Sequence, residues 1–235
     1  MPIRRQRPRG AARLAATDYN DSMSARIIGP LDRLIGEIDK AIKILAAPAQ
    51  AGRRSPAAPG GELVLQDAER RESVRLMRVN HAGEVAAQAL YRGQALTARD
   101  PGVAAAMQQA AAEETDHLAW CEERLRDLGA ATSWLNPLWY FGSLAIGAAA
   151  GAMGDRNSLG FIAETENQVE THLRGHLDRL PVADRPSRAI VQQMIEDEAA
   201  HGAKAASLGG NKLPLSIRMA MRLTSRLMTR GSYWI

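Results

Sequence analysis

Two short stretches of this 235-residue chain carry the same chemistry-bearing spacing: EETDHLAW at residues 113 to 120 and IEDEAAHG at residues 195 to 202. Glu114 and His117 are three residues apart, as are Glu198 and His201, so on a helix each pair projects from one face, a turn apart. A carboxylate and an imidazole placed this way are a half-built metal site. The other half is also present. Glu84, in RVNHAGEVAAQ, precedes Glu114 by 30 residues, and Glu166, in FIAETENQVETHL, precedes Glu198 by 32. A single helical glutamate is ordinarily solvated; six residues repeating one plan twice are better read as a ligand set. One glutamate from each of two helices and Glu-x-x-His from each of two others is the arrangement of ferritin-like carboxylate proteins that hold two iron or manganese ions. Four carboxylates and two neutral imidazoles suit those metals and disfavour a thiolate zinc or copper(I) site. The expected chemistry is redox or oxygen chemistry.

Three histidines stand outside this set. His172, six residues after Glu166, is expected beside the site as a partner of the ligands, with a core histidine as the alternative. His81 lies one turn before Glu84 and could orient it, or be a surface residue. His176 is assigned no role in metal binding. Cys121, one turn beyond His117, reads as a small buried hydrophobe.

The elements that must position these residues are helical throughout. Aromatic residues make up only 4% of the chain, which disfavours an all-β fold, and the apolar residues recur at helical intervals. Helices are expected from about 64 to 98, from about 101 to 128, from 159 to 180 and from 187 to 208, broken by Asp100-Pro101-Gly102, Gly129, Pro181 and Gly209-Gly210. The reading is an all-α, ferritin-like four-helix bundle with a long crossover and additional amphipathic helices. Residues 1 to 22 are Arg-rich and lack the apolar run of a secretory signal; they resemble a mitochondrial presequence but read better as a disordered tail or a start assigned too early. Residues 23 to 62 hold an amphipathic helix, with Ile27, Leu31, Leu34, Ile35, Ile38, Ile42 and Leu45 along one side, and a Pro/Ala/Gly linker at 47 to 61. Residues 63 to 235 carry the bundle.

The stretch from 134 to 154 is uncharged over 21 positions, long enough to span a bilayer. A single crossing there would place Glu84, Glu114 and His117 on one side and Glu166, Glu198 and His201 on the other, so the site could not assemble. It is therefore expected to be the bundle crossover, half buried and half lying in the membrane interface, with Trp134, Trp139 and Tyr140 at headgroup level; a purely internal helix is the alternative. A last helix at about 213 to 230 sets Arg218, Arg222, Arg226 and Arg230 in an i, i+4 stripe beside Ile217, Met221, Leu223 and Leu227, a design suited to anionic lipid, or otherwise a solvated face. The net charge of +4 is too small to imply nucleic acid, and one cysteine excludes an internal disulfide framework. The chain also lacks a Gly-x-Gly-x-x-Gly dinucleotide fingerprint.

The phrases RVNHAGE, EETDHLAW, ETENQVETHL and EDEAAHG, with PLDRLI near the start, closely resemble the demethoxyubiquinone hydroxylase family, di-iron monooxygenases of ubiquinone biosynthesis. The resemblance covers roughly residues 24 to 230. It implies Glu84, Glu114 and His117 around one iron, Glu166, Glu198 and His201 around the other, and Glu114 and Glu198 as bridges. It further implies dioxygen and a polyprenylated quinol as substrates, electrons from the quinol or from reduced nicotinamide, and partners in a ubiquinone-biosynthesis complex. The expected location is peripheral, on the cytoplasmic face of a bacterial membrane, or on the matrix side of a mitochondrial inner membrane. Two alternatives remain: a ferritin-like protein that oxidises iron or handles peroxide without an organic substrate, and a lipid-binding scaffold with structural metals.

Overall fold

The computed structural model describes residues 30–57 and 64–235, and every regular element among them is a helix. In chain order these are α1 (Pro30–Ala46), α2 (Asp67–Thr97), α3 (Pro101–Asp127), α4 (Asn136–Ala152), α5 (Asp155–Arg179), α6 (Arg185–Ser207) and α7 (Leu215–Trp234). The tail at 1 to 22 and the first apolar positions of the amphipathic segment lie outside the described residues.

Local chemistry sets the helix ends. Asp100 caps α3 by accepting from the backbone N–H groups of Gly102 and Val103, with Pro101 in the first turn where its missing N–H costs nothing. Asp184 caps α6 in the same way, accepting from the N–H of Ser187. Gly129 and Gly209, just past α3 and α6, adopt positive φ, which a side chain would resist.

Helices α2 and α3 pack as one pair joined by a short turn, and α5 and α6 as a second; together they form the bundle, with α4 crossing between the pairs. Two buried apolar layers fill it. One contains Leu76, Met77, Trp120, Leu125, Leu173, Val191 and Met194; the other contains Tyr91, Met107, Ala111, Leu159, Ile162 and Ala205. On each of the four helices, the predicted site residues fall between its contributions to the two layers. The polar turn of the bundle is thus closed off along both directions of every helix.

The crossover is a helix with one side buried against the bundle and an apolar outer side, but only one of its three expected headgroup anchors faces outward. It lies against α2 at backbone contact: a Cβ on Gly93 would strike Leu144 O, one on Gly147 would strike Leu90 O, and one on Gly151 would meet the Thr97 side chain. Tyr140 is fully buried in a third apolar cluster with Val85, Ala89 and Leu118, so it is not a headgroup anchor. Trp139 is half-buried and donates from Nε1 to Ser232 Oγ on α7 at 2.9 Å. Trp134 alone of the three is open to solvent, and Leu138, Phe141, Ile146 and Met153 line the outer side of α4. Position along the element explains the difference: Trp134 lies in the turn before α4, while Trp139 and Tyr140 are a helical step apart on the side that meets α7 and α2.

No helix among the described residues is long and apolar enough to cross a membrane. On α1, Ala41, Ile44 and Leu45 pack with the third cluster, whereas Ile35, Ile38 and Ile42 are exposed. On α7, Leu215, Met219, Leu223 and Leu227 are exposed, while Arg218 turns inward to Glu164 at 3.1 Å.

Candidate metal centre

The six residues expected from spacing meet at the centre of the bundle. Their potential ligand atoms form two groups, each within 4.8 Å: Glu84, Glu114, His117 and Glu198 in one, and Glu114, Glu166, Glu198 and His201 in the other. Glu114 and Glu198 belong to both. Glu84, Glu114, Glu166 and Glu198 are each no more than 3% exposed. Four carboxylates buried this deeply would repel one another and lose their hydration, so the cluster demands positive charge.

Both imidazoles face the cluster through the same atom. His117 Nδ1 stands 3.0 Å from Glu114, 3.3 Å from Glu198 and 3.7 Å from Glu84. His201 Nδ1 stands 3.3 Å from Glu114 and 3.5 Å from Glu198. The Nε2 atoms point away to two acidic residues absent from the predicted set. His117 Nε2 donates to Asp197 at 2.8 Å, and His201 Nε2 stands 3.0 Å from a Glu113 carboxylate oxygen as an ion pair. Each of these is the residue immediately before the glutamate of the opposite Glu-x-x-His turn. The pairing crosses from one helix to the other, and it holds Nε2 protonated so that Nδ1 faces inward. An acidic residue directly preceding both Glu-x-x-His motifs was the available sequence signal.

The electrostatics describe a site short of positive charge. Burial pushes Glu84 well above the usual carboxylate range, only partly offset by His117. Burial does the same to Glu166, reinforced by Glu198. Burial would also raise Glu114, but the hydrogen bond from His117 and the neighbouring His201 imidazole outweigh it and hold that carboxyl low. His201 is pushed up to about 10: burial opposes its charge, and Glu114 and Glu198 overcome the opposition. Several inward atoms still find no hydrogen-bond partner, among them Glu84 Oε2, Glu114 Oε1, Glu166 Oε1, Glu198 Oε2 and His201 Nδ1. Unpartnered buried acceptors on all four carboxylates are what a cation would satisfy. Two divalent ions would balance four carboxylate charges, and the all-oxygen-and-imidazole donor set fits iron or manganese.

His172 lies outside both groups. Its ring stacks edge-on against His176 at 4.0 Å, and His176 Nδ1 donates to Asn80 Oδ1 at 2.6 Å. His81 is buried, 3.3 Å from the Asn136 side-chain nitrogen. Cys121 is fully buried beside Met194, the small buried hydrophobe expected from the sequence. Gln88 and Tyr91, one and two turns beyond Glu84 on α2, are buried with Gln88 Nε2 and the Tyr91 hydroxyl unpartnered. Neither was singled out from the sequence, where both look like ordinary helix residues.

A helical bundle in which four helices each contribute a carboxylate, two of them with a histidine one turn on, defines the ferritin-like class of two-metal carboxylate proteins. Within that class the chain belongs to the family described as Ubiquinone biosynthesis protein COQ7, whose pattern matches residues 71–232. A 3-demethoxyubiquinol 3-hydroxylase of Bordetella parapertussis is 55% identical over 221 residues, covering 94% of this chain and all of the relative. Proteins of the same name from Nitrosospira multiformis and Chromobacterium violaceum are 55% and 54% identical, covering 87% and 86% of this chain and 99% and 98% of theirs.

Proposed function

We propose that this chain is a 3-demethoxyubiquinol 3-hydroxylase, a monooxygenase of ubiquinone biosynthesis that adds one oxygen atom from dioxygen to the ring of a polyprenylated quinol. The observation that carries the reading is the pair of four-residue groups sharing Glu114 and Glu198 at the core of a chain 55% identical to enzymes of that name. Two iron ions held there would supply dioxygen activation, with one oxygen atom entering the ring and the other reduced to water by two electrons from the quinol or reduced nicotinamide.

The chain's own residues account for the remainder. Glu84 and His117 would hold one ion, Glu166 and His201 the other, and Glu114 and Glu198 would span both. Asp197 and Glu113 keep the two imidazoles in the tautomer that presents Nδ1 inward. The apolar layers on either side exclude bulk water, which strengthens every electrostatic contact between them. Gln88 Nε2 and the Tyr91 hydroxyl, buried without partners, offer hydrogen bonds to oxygen substituents of a quinol ring.

The substrate's polyprenyl tail requires access from lipid. Exposed Trp134 just before α4, Leu138 and Phe141 on it, and exposed Leu215, Met219, Leu223 and Leu227 on α7, support peripheral attachment to the cytoplasmic face of a bacterial membrane. The start of α4 and the end of α7 are tied together by Trp139–Ser232 and by Ser133, which donates to the Ile235 carbonyl at 2.6 Å.

Labelled dioxygen tests the reaction. One labelled atom should appear on the product ring, and a strain lacking the gene should regain ubiquinone from the wild-type chain but not from Glu198→Ala. An unlabelled product, or a Glu198→Ala chain that restores ubiquinone at the wild-type rate, would refute the hydroxylase and favour iron or peroxide handling.

A further inference from the structure

The two Glu-x-x-His turns are near-copies in sequence, yet their supports are unequal. Glu113, which steadies His201, has a side chain 37% exposed, and its other oxygen accepts only from Gln109 on the exposed surface of its own helix at 2.8 Å. Asp197, which steadies His117, has a side chain 17% exposed and is held from two sides. Gln193 donates to its Oδ1 at 3.1 Å, and the Arg53 guanidinium donates to its Oδ2 at 2.8 Å.

Arg53 is itself fixed by several bonds. Its Nε donates to Asp116 Oδ2 at 2.6 Å, while the backbone N–H groups of Gly52 and Arg53 donate to Asp116 Oδ1 at 2.6 and 3.2 Å. The guanidinium lies 4.8 Å from the centre of the Trp120 ring, whose Nε1 donates back to the Arg53 carbonyl at 3.4 Å. A little earlier, the N–H of Ala49 donates to Glu122 at 3.0 Å. The segment after α1 is therefore a strap laid over α3 and reaching α6, and it precedes the 71–232 region that matches the family.

The contrast continues around the ligands. The His117 side chain is fully buried, whereas that of His201 is 15% exposed. A small cavity lined by Ala106, Met107, Ala110 and Leu159 reaches Glu166 and His201, and it touches none of Glu84, His117 or Asp197.

We propose that Arg53 is a positioning residue that locks Asp197 onto His117, making the metal position of Glu84 and His117 the tighter of two otherwise similar positions and leaving that of Glu166 and His201 the exchangeable one. The inference rests on the two-metal reading above. Its physical basis is that a carboxylate orients an imidazole only as well as it is itself oriented. A planar guanidinium that engages two carboxylates at once fixes Asp197 in a way that a lysine's single point charge cannot. Losing such an outer partner of a metal-bound histidine typically weakens metal binding by about 10- to 100-fold.

Cobalt(II), a divalent stand-in that is stable in air and visible by its ligand-field absorbance, reads the two positions directly when titrated into the metal-free full-length protein. The wild type should take up two ions in two resolved steps. In Arg53→Ala the first step should weaken by about tenfold or more and merge with the second. Arg53→Lys should recover only part of that loss, and Glu113→Ala should weaken the second step alone. Asp116→Asn, which releases the strap without touching Asp197, should act in the same direction as Arg53→Ala, and it decides the matter if Arg53→Ala fails to keep its helical circular dichroism. Uptake of fewer than two ions would defeat the two-metal reading itself. Two ions bound with equal affinity by the wild type, or two steps unchanged in both Arg53→Ala and Asp116→Asn, would overturn only the role of Arg53.

Discussion

Glu114 and Glu198 differ from the other four candidate ligands because each lies within reach of both groups. Replacing either by alanine should therefore lower occupancy at both positions, whereas Glu84→Ala or Glu166→Ala should chiefly empty one. Iron content per chain, measured on anaerobically purified variants, separates the two patterns, and His176→Ala should leave it at the wild-type value. Ring hydroxylation should be abolished by Glu198→Ala while helical content survives, since the apolar layers above and below the site remain. Tyr91→Phe tests the ring contact more gently. Deleting one hydroxyl that otherwise lacks a buried partner should raise KM for the quinol with little change in stability or iron content; unchanged kinetics would remove Tyr91 from the substrate site.

The individual helices were legible from periodicity and punctuation, and their limits differ from the expected ones by only a few residues. Repetition of Glu-x-x-His, with a glutamate about 30 residues upstream each time, was enough to name six residues whose side chains meet in the bundle. What spacing does not reveal is contact between helices. Asp197 and Glu113 act across the bundle, so no reading of one helix face could pair them with His117 and His201. Arg53 sits in a segment whose Pro, Ala and Gly content reads as a linker, and its docking depends on three acidic residues more than 60 positions away. The stretch from 134 to 154 is legible as the crossover, but nothing in its sequence marks Gly147 and Gly151 as points of backbone contact with α2.

Those contacts and the buried histidines give two tests at the level of helix packing. At Gly147 an added methyl would meet the Leu90 carbonyl, a rigid neighbour, so Gly147→Ala should destabilise the protein by about 1–3 kcal/mol in urea unfolding, whereas Gly142→Ala, with open space around it, should not. Burial depresses His172 and His81 to about 4 and His176 to about 2, from an ordinary value of 6.5. The unfolded chain therefore binds these protons more readily than the folded one. Their contribution is complete above pH 6.5 and is lost as pH falls from there toward the folded values, by up to about 1.4 kcal/mol per pH unit for each histidine. Because the raised Glu84, Glu166 and His201 act in the opposite sense, the test is a difference: between about pH 7 and 5 the urea midpoint of the metal-free wild type should fall relative to that of His172→Asn with His176→Asn. An identical slope in the double variant would show that these two rings do not couple to stability.

For the whole molecule, the decisive question is attachment. The outer surfaces of α4 and α7 expose apolar residues, and Arg222, Arg226 and Arg230 are exposed along α7, so the protein should sediment with anionic vesicles and be released by high salt. Each arginine near a lipid surface contributes about 1 kcal/mol, so Arg222→Glu with Arg226→Glu should weaken vesicle binding by about 30-fold or more. Equal binding to neutral and anionic vesicles, with no effect of the double substitution, would remove α7 from the interface.

The sharing of Glu114 and Glu198 also bears on how the protein comes apart. The α2–α3 pair contains Glu84, Glu114 and His117, and the α5–α6 pair contains Glu166, Glu198 and His201, yet each group of four borrows one glutamate from the other pair. Neither hairpin can complete a coordination sphere alone. If ions occupy the two groups as proposed, separating the hairpins would pull a shared carboxylate away from each, so the cost of ligand loss would enter the unfolding barrier and not merely the equilibrium. Loading should therefore slow the unfolding rate much more than it speeds folding, because hairpins can form from local contacts before any bridge exists. Such a protein would persist by its slow escape from the native state, and a chelator would shorten its lifetime even where the helical signal at equilibrium hardly moved.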